Sequence, residues 1–220
     1  MSSRTAVLLI DPLNDFLHPD GKLYPTIKAS LEATNSFEHM KELVAGARTA
    51  HIPIFYGLHQ VTKDGTYSGW NHMNASLIKI KQNAAFSEDF GGQILKELEP
   101  QPSNGDVVVS RHWNSSSFSN TDLEYQLRQH DITHVVIAGL VTNSCVESTA
   151  RAARELSVDD FDFPLQLQYF LIGTPKPSRV PQYQRGVEGH AVFFDEPFHH
   201  GVSVNENFGV HLRLRPSSPP

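Results

Sequence analysis

Only one cysteine, Cys145, occurs in 220 residues, which excludes an internal disulfide framework and a zinc site built from several thiolates. Basic runs are missing as well. The 18 Lys and Arg stand against 24 Asp and Glu for a formal net charge of −6, and no cluster offers the positive patch that phosphate binding needs. Nucleic acid and an anionic membrane are therefore not expected as partners. No apolar run approaches the roughly 18 residues of a membrane span. Asp11 and Asp15 interrupt the first apolar stretch, which speaks against a signal peptide, so a reducing, cytoplasmic location is the expectation. No glycine-rich loop follows the first strand, which weakens a nucleotide-binding reading of the flavodoxin kind.

What remains is the pattern of one α/β domain. A chain of this length buries roughly 70% of its unfolded surface and needs no staples. The short apolar run at Thr5–Ile10 reads as a strand buried on both faces, and Ile52–Leu58, Asp106–Ser110 and His134–Leu140 read as further strands. Helical spacing predicts helices over Ile27–Ala50 with Thr26 as a cap, Gln93–Leu98, Thr121–His130 with Glu124 completing a capping box, and Cys145–Leu156. Residues 60–90 read as a polar, aromatic-studded excursion. Strands alternating with helices imply a three-layer α-β-α sandwich on a parallel, Rossmann-like sheet. Ligands bind such sheets beyond the carboxyl ends of the strands, where Asp11, His59, Arg111 and Gly139–Cys145 all fall.

Cys145 follows GLVTNS and opens a helix. A thiol there meets the helix dipole and the unpaired N–H groups of the first turn, which favour a thiolate and an oxyanion. An isolated cysteine is as readily a small buried hydrophobe, and local context leaves the two readings balanced. Asp11 ends an apolar strand, a costly place for a carboxylate unless it is paired or moves protons. A turn residue before Pro12 is the plainer alternative. Asp15 reads as a local hydrogen-bonding residue.

LLIDPLNDF (8–16), DVVVSRHWNSSSF followed by TDL, and GLVTNSCVESTAR (139–151) resemble, in this order, the isochorismatase-like cysteine hydrolases. The resemblance runs from about Ala6 to Leu156. It implies that Cys145 is the nucleophile, Asp11 its acid/base partner, and Leu140–Val141 a cis peptide. It further implies an oxyanion hole from the N–H groups of Val141 and Cys145, substrates that are small amides, carbamoyl or ureido compounds cleaved at C–N, and a homo-oligomer. The family's third catalytic residue is a lysine at the end of the strand held here by DVVVS. This chain offers Arg111 and then His112. Arg111 supplies charge but trades no proton, His112 trades one near neutrality, and Arg111 is the preferred candidate with His112 as the alternative. Phe16, Trp70, Trp113 and Phe118 are expected to wall the substrate pocket, with Tyr67 beside them; core or rim packing is their alternative.

Nicotinamidases of the family hold a metal on an Asp-x-His pair. Gly57 and Leu58 precede His59 here, His72 is a stray, and neither metal nor cofactor is expected. After Leu156 the pattern changes. LQLQYFLI alternates well enough for a strand, HAVFF and VHLRL are strand-like scraps, and RPSSPP reads as a disordered tail. The expected organisation is therefore a hydrolase domain over 1–157 and an atypical extension over 158–220. A retained intron or shifted reading frame would produce so abrupt a change. A catalytically silent binding or scaffold protein of the same fold is the competing function.

Overall fold

The computed structural model describes residues 5–63 and 65–156, together with the strands at 166–169, 204–205 and 209–210. Strand β1 (Thr5–Ile10) is the central rib: four of its side chains are wholly buried, and it lies between β2 (Ile54–Gly57) and β4 (His134–Gly139). With β3 (Val107–Val108) and β5 (Gln166–Tyr169) these form a parallel sheet in the order β3-β2-β1-β4-β5. The chain leaves β1 toward β2 on one side and later crosses to β4 on the other. That reversal puts the switch point of the sheet at the carboxyl ends of β1 and β4. β6 (Val204–Asn205) and β7 (Gly209–Val210) form a separate two-stranded antiparallel sheet.

Two apolar layers flank the sheet because β1 alternates its side chains. Val7 and Leu9 face the cluster holding Met40, Leu43 and Val44, while Ala6, Leu8 and Ile10 face Leu123, Leu127, Val146 and Ala150. Helices α1 (Asn14–Leu17), α2 (Tyr24–Ala33) and α3 (Ser36–Thr49) serve the first face; α5 (Leu123–Gln129) and α6 (Glu147–Leu156) serve the second.

Several predicted elements change in detail. The single helix over 27–50 is two, broken at Asn35, whose φ of 49° lies in the left-handed region that Asn tolerates. Thr26 does not cap it; the helix starts at Tyr24 with Pro25 in its first turn, and Thr26 Oγ1 donates to the Leu23 carbonyl at 2.6 Å. Around Gln93–Leu98 only a 3₁₀ turn, Lys96–Leu98, forms. Thr121 is likewise not the cap of α5. Its hydroxyl is taken by the Ser117 carbonyl, and Glu124 pairs with Arg128 at 2.7 Å instead of closing a box. The excursion contains helix α4 (Ala75–Gln82), capped by the Asn74 side chain, which accepts from the Leu77 N–H at 2.9 Å. The strand expected in LQLQYFLI exists as β5, in register with β4 from His134↔Gln166 to Ile137↔Tyr169. HAVFF and the RPSSPP tail lie outside the described residues.

Candidate active site

Asp11 is held where β1 ends. Its backbone turns into the left-handed region (φ 49°), its N–H donates to the Gly57 carbonyl at 2.9 Å, and its side chain is wholly buried. A buried carboxylate in a sparsely populated backbone conformation marks a position set by surrounding structure. The His59 N–H donates to Asp11 Oδ1 at 2.6 Å.

The β2–β3 pairing continues past both strands through a bridge of His59 with His112, so these two rings lie 5.4 Å apart, edge to face. His112 Nδ1 sits 2.6 Å from the Asn114 carbonyl, which accepts only, so Nδ1 carries the hydrogen. Nε2 then faces Asp11 Oδ1 at 3.2 Å, an ion-pair distance without the alignment of a linear hydrogen bond. Only the imidazolium presents a proton to both the carbonyl and the carboxylate. Burial opposes that charge, but the Asp11 carboxylate outweighs it and raises the His112 pKa. Burial likewise pushes Asp11 up, and the His112 charge more than reverses this, leaving its pKa below the ordinary carboxylate value. Together they form a buried ion pair.

Cys145 reaches the same point from the opposite side. Gly139, at φ 123°, lies against the backbone of Ile10, where a Cβ would collide, and the Leu140 N–H donates to the Ile10 carbonyl at 3.0 Å. The ends of β1 and β4 are thereby drawn together. A cis Leu140–Val141 peptide and a π-type turn over Thr142–Val146 follow before α6 begins. The Cys145 thiol is buried, and burial and then the Asp11 charge raise its pKa well above the ordinary value; hydrogen bonds from the Ser144 side chain and the Val141 backbone work in the other direction. Ligand atoms of Asp11, His112 and Cys145 lie within 4.8 Å of one another.

Arg111, the preferred candidate for the third position, is engaged by backbone carbonyls. Its guanidinium donates to the His59 carbonyl at 2.7 Å and the Gly92 carbonyl at 2.9 Å, tying the end of β2 to the 87–92 loop. Strand alternation explains the exchange: neighbours in an extended segment point to opposite faces, so only one of Arg111 and His112 can turn toward Asp11. Of the two, His112 is the one that meets Asp11. Trp113, next along, is partly exposed and packs on Trp70 (centroids 5.1 Å), which packs on buried Tyr67 (5.0 Å). These three rings form one continuous aromatic stack. Phe16 and Phe118 do not join it. Phe16 is buried in the core against Phe86 at 5.1 Å. Phe118 lines a cleft with Leu127, Ile132 and Leu156, because Ser117 is tied to α6 through Thr149 Oγ1 at 2.9 Å.

Asp15 is not a local residue either: its carboxylate accepts from the N–H groups of Lys22 and of Phe86, 71 positions away. His72 is exposed. His59, which the sequence places at the carboxyl ends, acts here through its backbone N–H on Asp11, a role that its position beyond a strand end does not reveal; Ser144 lies within the 139–145 turn but is not singled out by the sequence. Whatever ion the cluster could take would meet the donor set of Asp11, His112 and Cys145.

An isochorismatase domain model matches residues 5–159, well over half of the chain. The chain belongs to the isochorismatase family. Family members of similar sequence include ureidoacrylate amidohydrolase RutB of Azorhizobium caulinodans, 29% identical over 222 residues that cover 93% of this chain and 88% of that protein. RutB of Agrobacterium fabrum is 29% identical over 170 residues, 70% of this chain and 71% of the other. Among solved structures, a cysteine hydrolase from Pseudomonas syringae pv. phaseolicola 1448A superposes with a TM-score of 0.56 at 28% identity, covering 76% of this chain and 74% of that one. The N-carbamoylsarcosine amidase of Thermoplasma acidophilum shares the fold, with a TM-score of 0.57 at 21% identity over 80% and 87% of the two chains. An isochorismatase-family fold with hydrolase relatives makes the chain a hydrolase. The matched domain ends two residues past the boundary read from the sequence, while the A. caulinodans alignment continues into the C-terminal third.

Proposed function

We propose that this isochorismatase-family hydrolase cleaves the C–N bond of a small amide, carbamoyl or ureido compound through a thioester on Cys145. The convergence of Asp11, His112 and Cys145 on one point carries this reading. The thiol is the neutral form at rest, so attack is concerted: sulfur bonds to the substrate carbonyl carbon as the S–H proton passes to Asp11. The N–H groups of Val141 and Cys145 receive the oxyanion. Asp11 then gives its proton to the departing nitrogen as the C–N bond breaks. Water, deprotonated by Asp11, attacks the thioester carbonyl; the acid or carbamate leaves and the proton returns to sulfur. His112 stays cationic throughout and keeps Asp11 ionised between steps. The Tyr67–Trp70–Trp113 stack lies next to His112 along the chain through Trp113, and the ureidoacrylate amidohydrolase activity of RutB favours a ureido substrate.

Turnover of a panel containing ureidoacrylate, N-carbamoylsarcosine and simple amides, with mass spectrometry of the acylated protein, tests the proposal. Cys145→Ala is expected to lose at least about 10³-fold in kcat, and Asp11→Asn and His112→Asn to fall steeply. Arg111→Lys should gain nothing, since it forfeits one of two carbonyl bonds. Full turnover in Cys145→Ala, or acylation at another residue, contradicts the mechanism. A panel with no turnover and no acyl adduct favours the silent binding protein.

A further inference from the structure

Asp11, His112 and Cys145 do more than complete a proton path: they present the donor set of a divalent metal site. Asp11 Oδ1 and His112 Nε2 are 3.2 Å apart. Two ligand atoms of a tetrahedral zinc ion, bound at about 2.0–2.2 Å each, stand roughly 3.3–3.5 Å apart. Cys145 Sγ, within 4.8 Å of both, needs to close by little more than about 1 Å to reach thiolate distance. All three side chains are buried, and both Asp11 Oδ2 and His112 Nε2 lack a hydrogen-bond partner. The second layer is built as well. The Asn114 carbonyl holds Nδ1–H of His112, the arrangement that turns Nε2 into a metal-directed lone pair once its proton leaves. The His59 N–H fixes the carboxylate.

We propose that these three residues bind a thiophilic divalent cation, zinc foremost, as a reversible inhibitor of the hydrolase. The inhibition, though not the binding, rests on the function proposed above. Zinc takes the place of two protons, one from the Cys145 thiol and one from the His112 imidazolium, so that carboxylate and thiolate together neutralise its charge. A fourth position is left for water. The nucleophile and its base are then consumed as ligands. The titratable and charged groups within electrostatic reach of Asp11 from neighbouring elements are the ring of His59, packed edge to face on His112, and Arg111, whose guanidinium is engaged by two carbonyls.

Cobalt(II) titration of the full-length, chelator-treated protein tests binding without any substrate. Cys145 is the sole thiol, so a sulfur-to-cobalt charge-transfer band reports that atom alone. Zinc should abolish the band stoichiometrically and slow iodoacetamide alkylation of the wild type at least about tenfold. His112→Asn should weaken cobalt binding by about a hundredfold, a loss of one ligand. Absence of the band and of protection at millimolar metal overturns the site, as does an undiminished band in His112→Asn. Turnover that rises with zinc overturns the inhibitory role. A band in a protein that hydrolyses nothing leaves the metal site standing and removes the proposed reaction, so the two failures are distinct.

Discussion

At Asp11 and His112, one interaction sets both the charge of the site and its response to pH. The pair is buried on both sides, where each charge alone would be costly, and removing one partner strands the other. His112→Asn is expected to destabilise the protein by on the order of 3 kcal/mol near pH 6. The sign follows from the shifts. The raised His112 pKa gives stability that is complete below the unfolded value of 6.5 and lost as pH rises through the folded one. The lowered Asp11 pKa gives stability that is complete above 3.8 and lost as pH falls through the folded value. Melting temperatures of wild type and His112→Asn should therefore differ most between about pH 4 and 6.5 and converge above it. A gap that widens with rising pH would contradict the ion pair. The turnover profile should be bell-shaped for the same reason, with the alkaline limb moved in the variant.

Among the elements, the end of β4 has the narrowest tolerance. Gly139 combines a positive φ with a backbone neighbour in Ile10, so Gly139→Ala is strained and obstructed together. The expected cost is at least about 3 kcal/mol, seen as a lower denaturation midpoint, and Cys145 should lose its access to Asp11 at temperatures where the variant is still folded. A variant with wild-type stability and alkylation kinetics would show that the close approach of β1 and β4 is dispensable. The sequence marked this junction through the abrupt change from HVVIAGL to TNSC. It could not show that Ile10 is the partner, because that contact joins residues more than a hundred positions apart.

For the molecule as a whole, the chain beyond residue 157 supplies the strand that pairs with β4. β5 covers the outer edge of β4 with four paired positions, and an uncovered central strand is a template for association. A chain ended at residue 157 should elute as aggregate in size-exclusion chromatography, whereas the full chain should not; a monodisperse, cooperatively melting fragment would make 5–156 self-sufficient. The proposal that the extension arose from a retained intron or a frame shift is checked by sequencing the transcript, and an uninterrupted message in frame through residue 220 would overturn it.

The order of strands and helices and the buried character of β1 and β4 were legible in local patterns, which also made Asp11 and Cys145 stand out, while their roles came from the family resemblance. Apolar runs, turn residues and helical spacing are short-range signals, and a carboxylate or thiol at a strand end is conspicuous against its neighbours. The breaks were less so: Asn35 reads as an ordinary helix residue until its backbone is seen to turn left-handed. The choice of His112 over Arg111 belonged to tertiary structure alone. Both are basic, adjacent and at the same strand end, so spacing treats them alike. What separates them is the facing imposed by pairing with β2, which turns one toward the Asp11 carboxylate and hands the other to two backbone carbonyls.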